Sequence, residues 1–207
     1  MPAIIKLRKL NFKSTTKPSI KMKKFKILII PLILLAGCQN NELGGQLECD
    51  TPIHFTKTKK YKDVLSKFNI KVPKYWKTKL YYDEYQSELY VADTTKQLSE
   101  TYIIDITWHQ GELYFNEDFK LNLSKELKNK GLLKKIKSGI IKFKKHDSYY
   151  NLSAGKDVNL TYHYLQVYLK YKPDEYYTFT SKIYGDKYIN ERICSSISIF
   201  NNIKFIK

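Results

Sequence analysis

The hydrophobic positions between residues 56 and 207 repeat mostly with a period of two, which is typical of β-strands. One run predicts a strand with a clean apolar face, consisting of Tyr102, Ile104, Ile106 and Trp108. Similar runs predict strands over residues 68–72, 80–85, 87–91, 140–144, 148–152, 158–171 and 176–184. In the longest run the apolar phase shifts between Tyr164 and Leu165, which a β-bulge or burial on both faces would explain.

Helical spacing interrupts the strands at three places. Residues 116–130 predict a helix with Asn116 as N-cap, acidic residues in its first turn and Gly131 as its stop. The spacing also predicts a short helix over residues 57–67 and a final helix over residues 187–200, capped by Asp186. Helices alternating with antiparallel strands predict an α+β chain whose helices pack on a sheet.

The order of these elements resembles that of a known family. Residues 68–76, Phe-Asn-Ile-Lys-Val-Pro-Lys-Tyr-Trp, resemble the opening of PsbP-like domains, where a strand enters a Val-Pro-x-x-Trp corner. The central helix, the meander and the closing helix are also similar, over residues 66–206. The resemblance implies an α/β/α sandwich around a central antiparallel sheet. Photosynthetic members assist photosystem II and bacterial relatives are often lipoproteins, so it also implies a binding or assembly accessory.

The first 38 residues carry a targeting pattern. Lys23, Lys24 and Lys26 precede an apolar run over residues 27–36, which is too short to cross a bilayer. The run ends in Leu35-Ala36-Gly37-Cys38, which resembles the lipobox of bacterial lipoproteins. The resemblance implies cleavage just before Cys38 and a diacylglycerol on its thiol, with palmitate among the acyl chains.

These patterns divide the chain into four parts. Residues 1–21 are predicted to be an extension from a start codon assigned too early, because a signal peptide starts naturally at Met22. Residues 22–37 are the predicted lipoprotein signal peptide, residues 38–55 a flexible tether and residues 56–207 a single PsbP-like domain. The residue directly after Cys38 is Gln39 and not Asp. In a cell with two membranes we therefore expect the protein at the periplasmic face of the outer membrane.

The charge changes once the leader is set aside. The whole chain has a net charge of +17, but nine basic and no acidic residues lie in residues 1–37, which leaves +8. Arg192 is the sole arginine after the leader, which argues against nucleic acid as a partner. The remaining positive charge is concentrated in residues 51–79. This segment predicts either a solvated face or contact with anionic lipid, through Lys57, Lys59, Lys60 and Lys62.

Two cysteines remain beside the lipidated one. An exported protein meets an oxidising compartment, so Cys49 and Cys194 either form a disulfide or stay as two free thiols. The sequence leaves both alternatives open.

The search for chemistry finds no catalytic motif. The four histidines show no zinc-binding spacing, and no phosphate-binding loop occurs, so we expect no metal, no cofactor and no enzymatic activity. A hydrolase built on His109, which shares a strand face with Asp105 and Thr107, or on His146 is a remote alternative. The 18 tyrosines favour another alternative function, a receptor whose tyrosine-rich sheet face binds a small molecule or a glycan. Our principal prediction is a membrane-anchored, non-enzymatic lipoprotein that binds an envelope protein.

Overall fold

The structure is a computed structural model, and it describes residues 42–49, 51–131, 134–157 and 159–206. Its helices are α1 (Glu42–Gln46), α2 (Glu117–Asn129) and α3 (Ile189–Asn201). Its strands are β1 (Thr58–Lys62), β2 (Phe68–Pro73), β3 (Lys77–Tyr82), β4 (Gln86–Ala92), β5 (Tyr102–Gln110), β6 (Lys134–Phe143), β7 (His146–Asp157), β8 (Leu160–Lys172), β9 (Glu175–Tyr184) and β10 (Lys204–Phe205). The predicted signal peptide and Cys38 lie outside the described residues. None of the described helices has the length and apolar character that crossing a bilayer demands.

The strands form two antiparallel sheets. Seven strands form the larger sheet in the order β3-β4-β5-β9-β8-β7-β6, and β1-β2-β10 form the smaller one. The predicted apolar face of β5 is buried, and it packs in one core with α3 and β2. α2 packs in a second core with tyrosines of β7 and β8. The two cores show that α3 and α2 belong to opposite faces of the larger sheet, as expected for an α/β/α sandwich.

Strand β8 explains the phase shift in the sequence by burial on both faces. Leu165, Val167 and Leu169 are buried in the core that contains α3. Tyr162 and Tyr164 are buried in the core that contains α2. The register of β8 with β7 runs without a break through this region, so no bulge causes the shift.

The central helix follows its sequence signals. The backbone N–H of Phe119 donates to Asn116 Oδ1 over 2.9 Å, which confirms Asn116 as the N-cap. Leu123 and Leu127 are the buried residues of the helix. Gly131 follows with a φ of 99°, a left-handed conformation that favours glycine.

Two helix predictions need correction. Residues 57–67 are not a helix: β1 pairs along its whole length with β2, and Asp63 Oδ1 accepts from the Phe68 N–H over 2.7 Å to close the hairpin. Helical spacing over about two turns is a weak signal, and cross-strand pairing outweighs it. Asp186 does not cap α3, which begins after Tyr188. Arg192 orders this junction instead, because its guanidinium donates to the carbonyl oxygens of Tyr184 and Thr101 over 2.6 and 3.2 Å.

The predicted flexible tether also differs from the structure. Residues 42–46 form α1, and Leu43 is fully buried in the core that contains α3. Lys137 Nζ donates to the Gln46 carbonyl oxygen over 2.6 Å, which holds α1 against β6. The polar composition of residues 38–55 suggested a linker, but Leu43 is buried and Leu47 and Cys49 pack against the same core, which docks this short helix.

Candidate functional site

A groove lies on the α2 side of the larger sheet. Polar residues at alternate positions of β4, β5 and β9 form its floor, chiefly Glu88, Asp105, Thr107, His109, Thr178 and Thr180. One wall consists of Phe119, Asn122 and Glu126 of α2 and of Lys130, which caps its C-terminal end. The rest of the lining is Tyr164, Tyr168, Tyr176, Gln86, Gln166, Leu113 and Leu123, and the volume of the concavity is about 480 Å³. We call this concavity the sheet groove.

The register of the strands places these side chains in rows. Thr107 lies between Glu88 on β4 and Thr178 on β9. Asp105 pairs with Thr180, and His109 pairs with Tyr176. Neighbours in such rows are close enough for direct interaction, so the floor is a continuous polar surface.

Asp105 is the most perturbed carboxyl group of the floor. Burial, and to a lesser extent the negative charge of Glu88, raise its pKa to about 7. The Thr107 hydroxyl opposes the shift by donating to Asp105 Oδ1 over 2.8 Å, and so does the positive charge of Lys130. Near neutral pH this side chain therefore populates both its protonated and its ionised form. Burial also raises the pKa of Glu88.

His109 is held by two neighbours from β9. Its Nε2 atom lies 2.9 Å from Thr178 Oγ1, and its ring stacks on Tyr176 with centroids 4.6 Å apart. Burial lowers the pKa of His109 to about 4, against the opposing charge of Asp83. The imidazole is therefore neutral at neutral pH and can accept or donate a hydrogen bond.

The wall beside α2 is ordered by side-chain contacts. Lys130 Nζ lies 2.9 Å from Glu126 Oε1 and donates to the Tyr164 hydroxyl over 3.3 Å. Gln166 Nε2 donates to the Tyr168 hydroxyl over 2.9 Å. These polar groups are positioned before any ligand arrives, which reduces the entropy cost of binding.

The arrangement has the chemistry of a binding surface. A hydroxyl beside an imidazole supplies two of the three groups of a catalytic triad, but Asp105 bonds to Thr107 and no described carboxylate hydrogen-bonds to His109. Within the described ranges, no three His, Cys, Asp or Glu side chains are placed to hold a metal ion. Carboxyl, hydroxyl, amide and aromatic groups together suit a ligand with many hydroxyl groups.

The residues around His146, the other histidine considered for a hydrolase, do not form a catalytic arrangement. The His146 ring packs near Tyr171 and Phe205, while Ser148 Oγ donates to the His146 carbonyl oxygen over 3.1 Å. Asp147 forms an ion pair with Lys142. His146, Asp147 and Ser148 are therefore simply the first residues of β7, next to the turn between β6 and β7.

The tyrosines are divided among three environments. Tyr149, Tyr162 and Tyr164 pack with α2, and Tyr150 and Tyr177 are buried in the core that contains α3. Tyr81, Tyr82 and Tyr85 are 47%, 63% and 59% exposed near the β3 edge of the sheet. The sheet groove contains just three tyrosines, so the tyrosine-rich binding face predicted from the sequence is mostly packing.

The remaining predicted residues lie away from the groove. The Cα atoms of Cys49 and Cys194 lie 5.3 Å apart and the structure pairs their sulfur atoms; the bond in the protein stays a prediction. Lys59, Lys60 and Lys62 are exposed on β1, an outer strand of the smaller sheet, and Lys57 is exposed just before it. Their contact with lipid also stays a prediction.

Sequence reasoning found Asp105, Thr107 and His109 on one face but missed their neighbours. Thr178 and Thr180 were inside a predicted strand, and their alternation with Tyr177 and Phe179 was the available signal. The contribution of Glu126 and Lys130 had no signal, because nothing in the sequence shows which strands lie beside α2.

The comparisons with known proteins support the fold. No protein-family model matches the chain, and no curated protein matches its sequence. The solution structure of cyanobacterial PsbP (CyanoP) from Synechocystis sp. PCC 6803 matches with a TM-score of 0.53 and 9% identity, over 75% of this chain and 96% of that one.

Two other solved structures are less similar. A protein from Bacteroides thetaiotaomicron VPI-5482 has a TM-score of 0.48 and 11% identity, over 73% of this chain and 50% of its own. LpqN, described as involved in cell envelope biogenesis of Mycobacterium tuberculosis, has a TM-score of 0.37 and 10% identity, over 76% and 90%. The likeness to CyanoP concerns the fold alone: the chain has an α+β fold of the PsbP-like kind.

Proposed function

We propose that the chain is a non-enzymatic binding protein of the bacterial cell envelope and that the sheet groove holds its ligand. Acyl chains on Cys38 would anchor it, with the periplasmic face of the outer membrane as the expected location. The observation that carries the proposal is the polar floor around Asp105, Thr107 and Thr178, which is partly buried and ordered in advance.

The ligand that suits this floor is hydroxyl-rich, such as a segment of an envelope glycan. Asp105 can accept or donate a hydrogen bond near neutral pH, because its pKa is about 7. The groove has further groups that can both donate and accept hydrogen bonds, on Thr178, Thr180 and His109. A ligand with alternating donors and acceptors can satisfy all of them, whereas an apolar ligand would leave buried polar groups unpaired.

A second candidate function is the assembly accessory that binds an envelope protein. It is favoured by the exposed tyrosines near β3, since an outer strand with Tyr81 and Tyr82 offers both backbone groups and aromatic contact area. Tyr81 pairs with Glu88 and lies on the groove side of the sheet, whereas Tyr82 lies on the other side, so one experiment that probes positions 82 and 122 can separate the candidates.

That experiment is photo-cross-linking in the native cell. A photoreactive amino acid would replace Asn122 at the groove wall, Tyr82 at the β3 edge, or Lys128, which is exposed on α2 and does not line the groove. We expect a glycan adduct from position 122 and none from position 128. A protein adduct from position 82 alone would favour the accessory function, and equal yields at positions 122 and 128 would contradict the groove.

A further inference from the structure

A second concavity, of about 780 Å³, lies beside the C-terminal end of α3. It is enclosed by residues 52–55, by β2 and by the turn between β6 and β7. Its lining includes His54 and four lysines: Lys71, Lys142, Lys144 and Lys145. Among the residues that the structure describes, no acidic side chain lines the concavity. We call this concavity the basic pocket, and its charge is complementary to an anion.

The turn that supplies two of these lysines has an unusual composition. Lys144 and Lys145 form the two-residue turn between β6 and β7, with φ angles of 52° and 71°. Positive φ at both positions is normally met by Asn and Gly, because a side chain crowds the backbone there. The chain therefore places two lysines where the backbone disfavours them and where their side chains line the pocket.

The lysines differ in their contacts. Lys142 pairs with Asp147, and Lys144 Nζ donates to the Asn201 carbonyl oxygen at the end of α3 over 2.9 Å. Partial desolvation and the charge of Lys204 lower the pKa of Lys144, a sign that cationic groups are crowded here. Lys71 and Lys145 form no ion pair with any residue in the described ranges. Both side chains line the pocket with charges that no described acidic side chain neutralises.

Apolar side chains complete the walls. Pro52, Ile53, Phe55 and Phe143 line the same concavity as the lysines. The Ile53 N–H donates to Ser198 Oγ over 2.9 Å, and the Phe55 ring packs edge-on against Trp76 with centroids 6.3 Å apart. An anion joined to apolar groups fits this combination better than a small inorganic anion does.

The predicted anchor precedes α1 by a short stretch of sequence. Three residues separate Cys38 from Glu42, and an extended chain of that length spans about 14 Å at most. The chain then meets α3 at Cys194 and, one helical turn or about 6 Å further on, at Ser198 in the pocket wall. A bilayer that carries the acyl chains is therefore within reach of the folded domain.

We infer that the basic pocket binds the phosphate of an anionic phospholipid headgroup in the membrane that holds the anchor. The inference rests on the proposed lipid anchor for the nearness of the bilayer, whereas the chemistry of the pocket is independent of it. Lys71 and Lys145 contact the phosphate, and the apolar wall at Ile53 and Phe55 contacts the adjoining glycerol and acyl carbons. The bound lipid fixes the orientation of the domain on the membrane.

The test is lysine acetylation of the mature, anchored protein in nanodiscs at physiological salt, read by mass spectrometry. Discs with about one third phosphatidylglycerol are compared with discs of phosphatidylcholine alone. We expect acetylation of Lys71 and Lys145 to be about fivefold slower in the anionic discs, while Lys96 and Lys128 react equally in both. Equal rates for the pocket lysines in the two discs would overturn the inference.

Two further arms identify the source of the phosphate and the role of the pocket. Inorganic phosphate added to phosphatidylcholine discs should leave Lys71 unprotected; protection by phosphate alone would mean a soluble anion site and would overturn the lipid assignment. Lys145→Gln should abolish the protection of Lys71, and Lys128→Gln should preserve it.

The same experiment separates the pocket from the anchor. If the intact mass shows no acyl chains, the anchor in the proposed function is wrong, and the protein mixed with free nanodiscs still tests the pocket by the same labelling. The exposed lysines of β1 are read in the same spectra. Protection there without protection of Lys71 would assign lipid contact to β1 and overturn the pocket.

Discussion

The raised pKa of Asp105 in the sheet groove makes the free energy of unfolding depend on pH. Its carboxyl group has a pKa of about 3.9 in an unfolded chain and about 7 in the folded one. The folded state therefore binds this proton more tightly. The resulting contribution to the free energy of unfolding is complete below about pH 3.9 and is lost as the pH rises to about 7.

Asp105→Asn should remove this pH dependence while keeping an oxygen that accepts from Thr107. We expect little change in stability at pH 4 and a gain of about 4 kcal/mol at pH 8, measured by urea denaturation. The matched control is Asp174→Asn in the exposed β8–β9 turn, which should change stability equally at both pH values. A stability gain of Asp105→Asn that is the same at pH 4 and pH 8 would show that the carboxyl is not perturbed.

At the scale of single residues, the sequence predicted which side chains share a strand face, but not the burial and the charges that surround them. Alternation along β5 placed Asp105, Thr107 and His109 on one face, and the structure confirms that. Their pKa values depend on Glu88, Lys130 and the degree of burial, which are set by neighbouring strands and by α2. Catalytic residue types that lie side by side in the sequence need not interact. Ser148 bonds to the backbone carbonyl of His146 rather than to its imidazole.

Among the elements, α1 depends most on its attachments. Leu43 is buried, and Cys49, three residues after the end of the helix, faces Cys194 on α3. A disulfide there would close a loop of 145 residues and would stabilise the protein by about 3 kcal/mol, chiefly by restricting the unfolded chain.

The disulfide prediction is checked by thiol titration and by a variant. The acylated, unreduced protein should show no free thiol after denaturation and two after reduction. Cys194→Ser should lower the free energy of unfolding by about 3 kcal/mol and speed hydrogen exchange at the Leu47 amide, which bonds to Leu43 within the α1 turn. Reduced wild-type protein serves as the control and should behave like the variant. Two thiols in the unreduced protein would contradict the bond.

Elements with long, regular patterns were predictable, and the five-residue elements β1 and α1 were not. β5, β8, β9 and α2 follow their hydrophobic periods because each places one or both faces in a core. β1 and α1 are five residues each, and partners outside the element decide their conformation: the neighbouring β2 for the first, and β6 and α3, distant in sequence, for the second. No local pattern carries that information.

For the molecule as a whole, the three functional features are separate. The sheet groove lies on the α2 side of the larger sheet, the basic pocket lies beside the end of α3, and the predicted anchor precedes α1. In our account the anchor and the basic pocket hold the domain at the membrane, while the sheet groove remains accessible to its ligand.

Native mass spectrometry of the protein gently extracted from its own membrane tests this account most directly. Thr180→Arg fills the groove floor opposite Asp105 without entering either core, and Lys128→Glu on the outer side of α2 is the matched control. We predict a denatured mass of residues 38–207 plus lipid for all three proteins. We also predict an added native mass of glycan size in the wild type and in Lys128→Glu, but not in Thr180→Arg. A wild type without added mass, or an added mass that Thr180→Arg retains, would contradict the account.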